Sequence, residues 1–406
     1  MSSASFDFAP FLAKGLPPAA ARWNGRVKFD FTGGNNDGDR LPLEDLVAAA
    51  DAVLKREGRA LSTYGLNSGP QGYRPLRDFL VAKLKTDASI ACTADDILIT
   101  SGSLQAIDLI NATLLERGDT VIIEQDCYQG SINRLTRLGV IVVGIPLDQG
   151  GMRMDALAAA LDELKRKGIR SKYIYTIPTV QNPTSTIMPL ERRQEMLRLA
   201  AAHGVPIFED DCYADLIWSG ERPPALYALS EKDGERGSVI HIGSFSKSIA
   251  PALRVGYIVA PWDVMSRILP LKTDGGSGAL EQMVLAEFST RHFSRHVPLL
   301  RRGLRAKLET MMESLKEHFG SAAEFDDPKG GIFLWVKLPD NVDTSKLYQP
   351  ALAAGVAINP GAEWSVNKSY GRNRMRLCFA SPSHEEINQG IAALAEVCRR
   401  EFGVPA

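Results

Sequence analysis

The most constraining feature of this 406-residue chain is an alternation of short apolar runs with helical patterns that ends at Lys247. Ile97 to Thr100, Thr120 to Glu124, Ile141 to Ile145, Lys172 to Ile177 and Val205 to Glu209 read as strands, and Val239 to Ile242 as a last one before Lys247. Between them, Leu104 to Leu115, Ser131 to Leu138, Asp155 to Lys167 and Leu190 to His203 read as helices. Parallel strands need long crossovers, which helices supply, so the repeat predicts an α/β fold with a mostly parallel central sheet flanked by helices. Ligands of such sheets bind beyond the carboxyl ends of the strands.

The flanks read differently. Val27 to Phe31 alternates like a strand, Leu43 to Glu57 has helical spacing, and Tyr64 to Arg77 is a loop punctuated by glycines. Beyond Pro261 the pattern is helical, with a long charged amphipathic stretch from about Ser294 to Phe319. Strands at Gly331 to Val336 and Arg374 to Phe379 and a helix at His384 to Phe402 predict a smaller α+β unit. The first forty or so residues cannot bury a core of their own, so they are expected to pack with this tail. The expected division is 1–45 as arm and part of the small domain, 46–295 as the large domain and 296–406 as the rest of the small one.

Composition removes several classes of function. A formal net charge of −1 with no basic block gives no surface for nucleic acid or anionic membrane. The five cysteines lie far apart without a C-x-x-C pair, and no targeting segment or membrane-length apolar run is seen, which predicts a cytoplasmic protein. His292 and His296 share a helical face, but Phe293 stands where a zinc protease carries glutamate, and no metal site is expected.

The chemistry gathers at the strand ends. Ser101-Gly-Ser103-Leu104 opens a helix, whose free N–H groups attract an anion; Ser103 reads either as its cap or as a ligand. Tyr128 follows the next strand, as a ring to stack on a flat heterocycle or as packing. Gln181-Asn182-Pro183 is a turn whose proline restricts the backbone of Asn182. Glu209-Asp210-Asp211-Cys212-Tyr213 puts carboxylates at the end of a buried strand, where they need a cationic or hydrogen-bonding partner. Lys247 ends the last strand with Ser244, Ser246 and Arg254 nearby; desolvation there would lower its pKa and free an amine to attack a carbonyl. Gly33 and Gly34 let backbone approach a ligand, or form a plain turn.

On Ser-Phe-Ser-Lys247 with Arg254 seven residues on, Asn182-Pro183 and Glu209-Asp-Asp-Cys-Tyr213, the chain resembles the class I/II aminotransferases of fold type I. It is similar in particular to their 2-aminoadipate and kynurenine branch, from about Gly33 to the last helix. The resemblance implies pyridoxal 5′-phosphate as cofactor and transfer of an amino group from an L-amino acid to a 2-oxo acid. Lys247 would hold the cofactor as an internal aldimine and move the proton, and Asp210 would keep the pyridine nitrogen protonated. Tyr213 and Asn182 would bond the phenolic oxygen, with Tyr128 stacked on the ring. Ser103, the Leu104 N–H, Ser244, Ser246 and Arg254 would hold the phosphate. Arg376, otherwise a surface strand residue, would grip the substrate carboxylate beside Asn182 and Gly34. Tyr64 would reach the phosphate of the neighbouring subunit, which implies a homodimer.

The chain departs from the family pattern at Ser185, where glycine is usual, at Cys212, where proline is frequent, and at Leu104, where the branch has glutamine. Its N-terminal arm does not match the branch's substrate-covering helix. The same residues also suit a lyase, decarboxylase or oxidase, since the cofactor performs the bond-breaking chemistry. A ligand-sensing, aminotransferase-like regulator is a further reading, set against the lack of a basic recognition helix before Tyr64.

Overall fold

The computed structural model describes residues 6–405 except 18, 21, 23, 24 and 232–236. Seven strands form the central sheet: β1 (Ile97–Thr100), β2 (Thr120–Glu124), β3 (Ile141–Ile145), β4 (Ser171–Thr176), β5 (Ile207–Asp210), β6 (Val239–Ser244) and β7 (Gly256–Val259). Their spatial order is β1-β7-β6-β5-β4-β2-β3. The pairs from β6 to β3 are parallel, whereas β7 runs antiparallel to both β6 and β1. Strand β7 is the element that the βα repeat does not announce. It follows β6 through a turn rather than a crossover helix, and its four residues Gly-Tyr-Ile-Val are apolar enough to be buried on both faces.

Period-two alternation sorts the strand residues between two cores. Ile99, Ile122, Ile174, Ile207 and Val239 face one helical layer. Leu98, Ile123, Tyr175, Phe208 and Ile240 face the other. A third core unites Phe29 and Phe31 with the C-terminal part of the chain, where β8 (Phe333–Lys337), β9 (Asn359–Pro360) and β10 (Arg374–Cys378) form an antiparallel sheet. Phe29 and Asp30 pair in parallel with Val356 and Ala357.

The amphipathic stretch expected from about Ser294 begins earlier: one helix of 41 residues runs from Ala279 to Phe319. Its first half buries Met283, Leu285 and Phe288 against the large sheet, and its second half buries Leu300, Leu304 and Leu308 in the third core. Pro298 lies inside it, at the passage from one core to the other. Packing on both sides holds the helix through a residue that by itself would end one. His292 and His296 are split between partners, Asp45 for the first and the Ser248 carbonyl for the second.

Candidate active site

A cavity of about 400 Å³ opens beyond the carboxyl ends of β1, β2, β4, β5 and β6. Of the thirteen residues that the resemblance assigns to cofactor or substrate, twelve line it, Gly34 among them, and Tyr64 is the exception.

The anion cradle starts at the helix Ser103–Leu114. Gly102, with φ +77°, is its N-cap and Ser103 its first residue, so Ser103 is not the cap. Position 102 has no room for a side chain: a Cβ there would run into the Arg254 guanidinium, which donates to the Ser101 carbonyl at 3.2 Å. The N–H groups of Ser103 and Leu104 thus have no intrahelical partner, as at any helix start, and face the same cavity as Ser244, Ser246 and Arg254. Ser244 Oγ accepts the Ser246 N–H at 3.0 Å, which holds the turn before Lys247.

Lys247 extends into the middle of the cavity and donates to the Gly34 carbonyl at 2.6 Å. A Cβ on Gly34 would lie 2.8 Å from Lys247 Nζ, so this approach of backbone to amine requires glycine. Burial pushes the lysine pKa below its ordinary value, and the positive charges of Arg376 and Arg254 add to the effect. The shift is toward the neutral amine, the nucleophilic form.

Alternation along β5 explains which acid of the Glu-Asp-Asp run reaches the cavity. Asp210 shares a face with Phe208 and lines it. Glu209 and Asp211 point to the other side, where Arg193 lies 3.9 Å from Glu209 and Arg222 2.5 Å from Asp211. Burial raises the pKa of Asp210, while donors from Cys212 and Tyr175 oppose the rise.

Across the cavity, Asn182 joins two groups: its Nδ2 donates to Tyr213 Oη at 3.2 Å, and its Oδ1 accepts from Arg376 Nη1 at 3.3 Å. Arg376 Nη2 donates to the Thr32 carbonyl at 2.7 Å, and its buried Nε has no hydrogen-bond partner among the described residues. Arg376 is 5% exposed, so its reading as a surface strand residue is set aside. Its guanidinium stacks on Trp364, 3.9 Å from the ring centroid. Tyr128 is half-buried beside the same indole, 6.0 Å between centroids.

Trp364, Tyr175 and Thr32 carry no signal in the strand pattern. Trp364 sits in a short 3-10 turn and Thr32 contributes only its carbonyl, while Tyr175 reads as one more apolar strand residue. Tyr64 is 92% exposed and lies outside the cavity. Among the described residues no helix is long and apolar enough to cross a membrane.

The cavity thus holds a desolvated amine, a buried acid, a tyrosine hydroxyl bonded to an amide, free N–H groups at a helix start and a guanidinium whose Nε has no partner among the described residues. These residues fit a flat, phosphorylated pyridine aldehyde. Comparison with known proteins agrees. The model of the aminotransferase class I and II family matches residues 26–394. A 2-aminoadipate transaminase of Thermus thermophilus is 32% identical, over 91% of this chain and 89% of its own. An uncharacterised HTH-type transcriptional regulator of Bacillus subtilis, YdfD, is 37% identical over 86% of this chain and 70% of its own. The structure of a Pyrococcus horikoshii kynurenine aminotransferase in complex with PMP superimposes with a TM-score of 0.85, at 31% identity over 93% of this chain and 92% of that one. The chain belongs to the class I and II aminotransferases, with pyridoxal 5′-phosphate as cofactor and an amino acid and a 2-oxo acid as substrates.

Proposed function

We propose that Lys247 is the residue that carries the cofactor and then moves the proton of the amino donor. Bound in this cavity, the cofactor supplies an electron sink that makes the α-proton of an amino acid removable. Asp210 would pair with the ring nitrogen and keep it cationic. Tyr213 and Asn182, already bonded to each other, would direct donors to the phenolic oxygen, and Tyr128 would stack on the ring. Ser103, the Leu104 N–H, Ser244, Ser246 and Arg254 would hold the phosphate. Arg376 and Asn182 bind the substrate carboxylate beside Gly34, a bidentate task for which a guanidinium is suited. The observation that carries this reading is the desolvated Lys247 amine in one cavity with Asp210 and Arg376.

The same reading makes the protein a homodimer. Tyr64 is 92% exposed and stands outside its own cavity, which supports a second copy receiving Tyr64 at its phosphate. The five unpaired cysteines support the cytoplasm as its location.

Purified holoenzyme mixed with single L-amino acids, without acceptor or oxygen, tests the reaction. Transamination is expected to bleach the visible cofactor band without ammonia, and a 2-oxo acid is expected to restore it. Release of ammonia or carbon dioxide with the band retained would replace transamination by elimination or decarboxylation. The similarity to YdfD favours one alternative, a sensor in which amino acids bind without turnover; there the spectrum would shift but a 2-oxo acid would change nothing.

A further inference from the structure

We propose that Tyr175 is a positioning residue that, with Ser131, holds Asp210 as an oriented carboxylate. The inference rests on the reading of Asp210 as the partner of the ring nitrogen.

Asp210 is 5% exposed and forms no ion pair among the described residues. A carboxylate in such a place needs hydrogen-bond donors to remain charged. Tyr175 supplies a short one, donating from Oη to Asp210 Oδ2 at 2.7 Å, while the Cys212 N–H lies 3.3 Å from Oδ1. Ser131 Oγ donates in turn to Tyr175 Oη at 3.1 Å. That bond uses the phenol as an acceptor and leaves its one hydrogen for Asp210.

The tyrosine ring is held from the side as well. Strands β4 and β5 pair with Tyr175 opposite Phe208, and the two rings meet edge to face at 5.1 Å. Asp210 lies two residues beyond Phe208 on the same face, which is where the phenol ends. Tyr173, on the same face one pleat earlier, donates to Asn111 at 2.8 Å and serves the core instead. Tyr175 is therefore the strand tyrosine that reaches the cavity's acid. Its hydroxyl does what an arginine or lysine would do for Asp210, but without adding a positive charge that would compete with a protonated ring.

Tyr175→Phe keeps the ring and its packing and removes only this donor. The test uses holoenzyme carrying cofactor labelled at the ring nitrogen, whose NMR shift reports protonation, together with the cofactor dissociation constant from absorbance titration. Tyr175→Phe is expected to move the shift toward the neutral ring and to weaken cofactor binding roughly tenfold. Ser131→Ala is expected to do the same more weakly, with the thermal midpoint little changed in both. A wild-type shift and affinity in Tyr175→Phe, alongside a neutral ring in Asp210→Asn, would overturn the proposal and leave Tyr175 as packing. A protonated ring in Asp210→Asn would overturn the pairing of Asp210 on which the proposal rests.

Discussion

Glu124 ends β2 fully buried, with neutral donors around it: Thr176 Oγ1 at 2.6 Å, Gln181 Nε2 at 2.9 Å and the Ile177 N–H at 3.2 Å. Burial outweighs these donors and pushes its pKa from 4.5 up to about 7. A carboxyl whose folded pKa is raised stabilises the fold fully below its unfolded pKa, and that stability is lost as pH rises through the folded value. A rise of about 2.5 pKa units corresponds to about 3 kcal/mol. For a chain of 406 residues this is a shift of roughly 3–4 °C in thermal midpoint. Glu124→Gln abolishes the titration. Between about pH 5 and about pH 8.5 the midpoint of the cofactor-free wild type should fall by that much more than the variant's. Asp126, pushed up to about 6 by burial, titrates in the same window but is present in both proteins, so the difference isolates Glu124. Parallel midpoint curves would refute the argument and show that Glu124 is already ionised, or solvated, in the folded state. Because Gln181 precedes Asn182, the variant should also raise KM for the amino donor.

Arg376→Lys should lower kcat/KM about a hundredfold, chiefly through KM, because one ammonium cannot satisfy both Asn182 and a carboxylate in the bidentate manner of the guanidinium; steady-state kinetics with a good donor checks this. Gly102→Ala should weaken cofactor binding by about tenfold or more, read by absorbance titration, since the methyl group would displace Arg254 and strain a backbone at φ +77°. Dimers mixed from Tyr64→Ala and Lys247→Ala subunits should regain activity that neither parent has, because one site then contains both native residues; no recovery would confine Tyr64 to its own subunit.

The alternation of β1 to β6 with helices was legible because each element is short, apolar and bounded, and because hydrophobic period survives without tertiary knowledge. Strand β7 was not, since its run Gly-Tyr-Ile-Val follows β6 through a turn and carries no alternation of its own. The start of the helix Ala279–Phe319 was obscured by the glycine-rich loop before it and by Pro298 within it. Lys247, Asn182, Arg254 and the acidic run were visible because reactive residue types at strand ends are unusual in a pattern otherwise made of core residues. Trp364 and Tyr175 were hidden for the opposite reason: an aromatic residue in a turn or a strand is the expected filling of a core.

By itself the sequence determined the layering, the strand ends at which chemistry would gather and the residue types available there, since these depend on hydrophobic period and local backbone preference. Only the tertiary structure decided which members act together. The choice of Asp210 over Glu209 and Asp211 comes from the face on which β5 presents it. The juxtaposition of Arg376 with Asn182, 194 residues apart in the chain, comes from packing the C-terminal sheet against the strand ends of the large one. Burial then pushes the pKa of Lys247 down and that of Asp210 up, because desolvation depends on what the rest of the chain places around them.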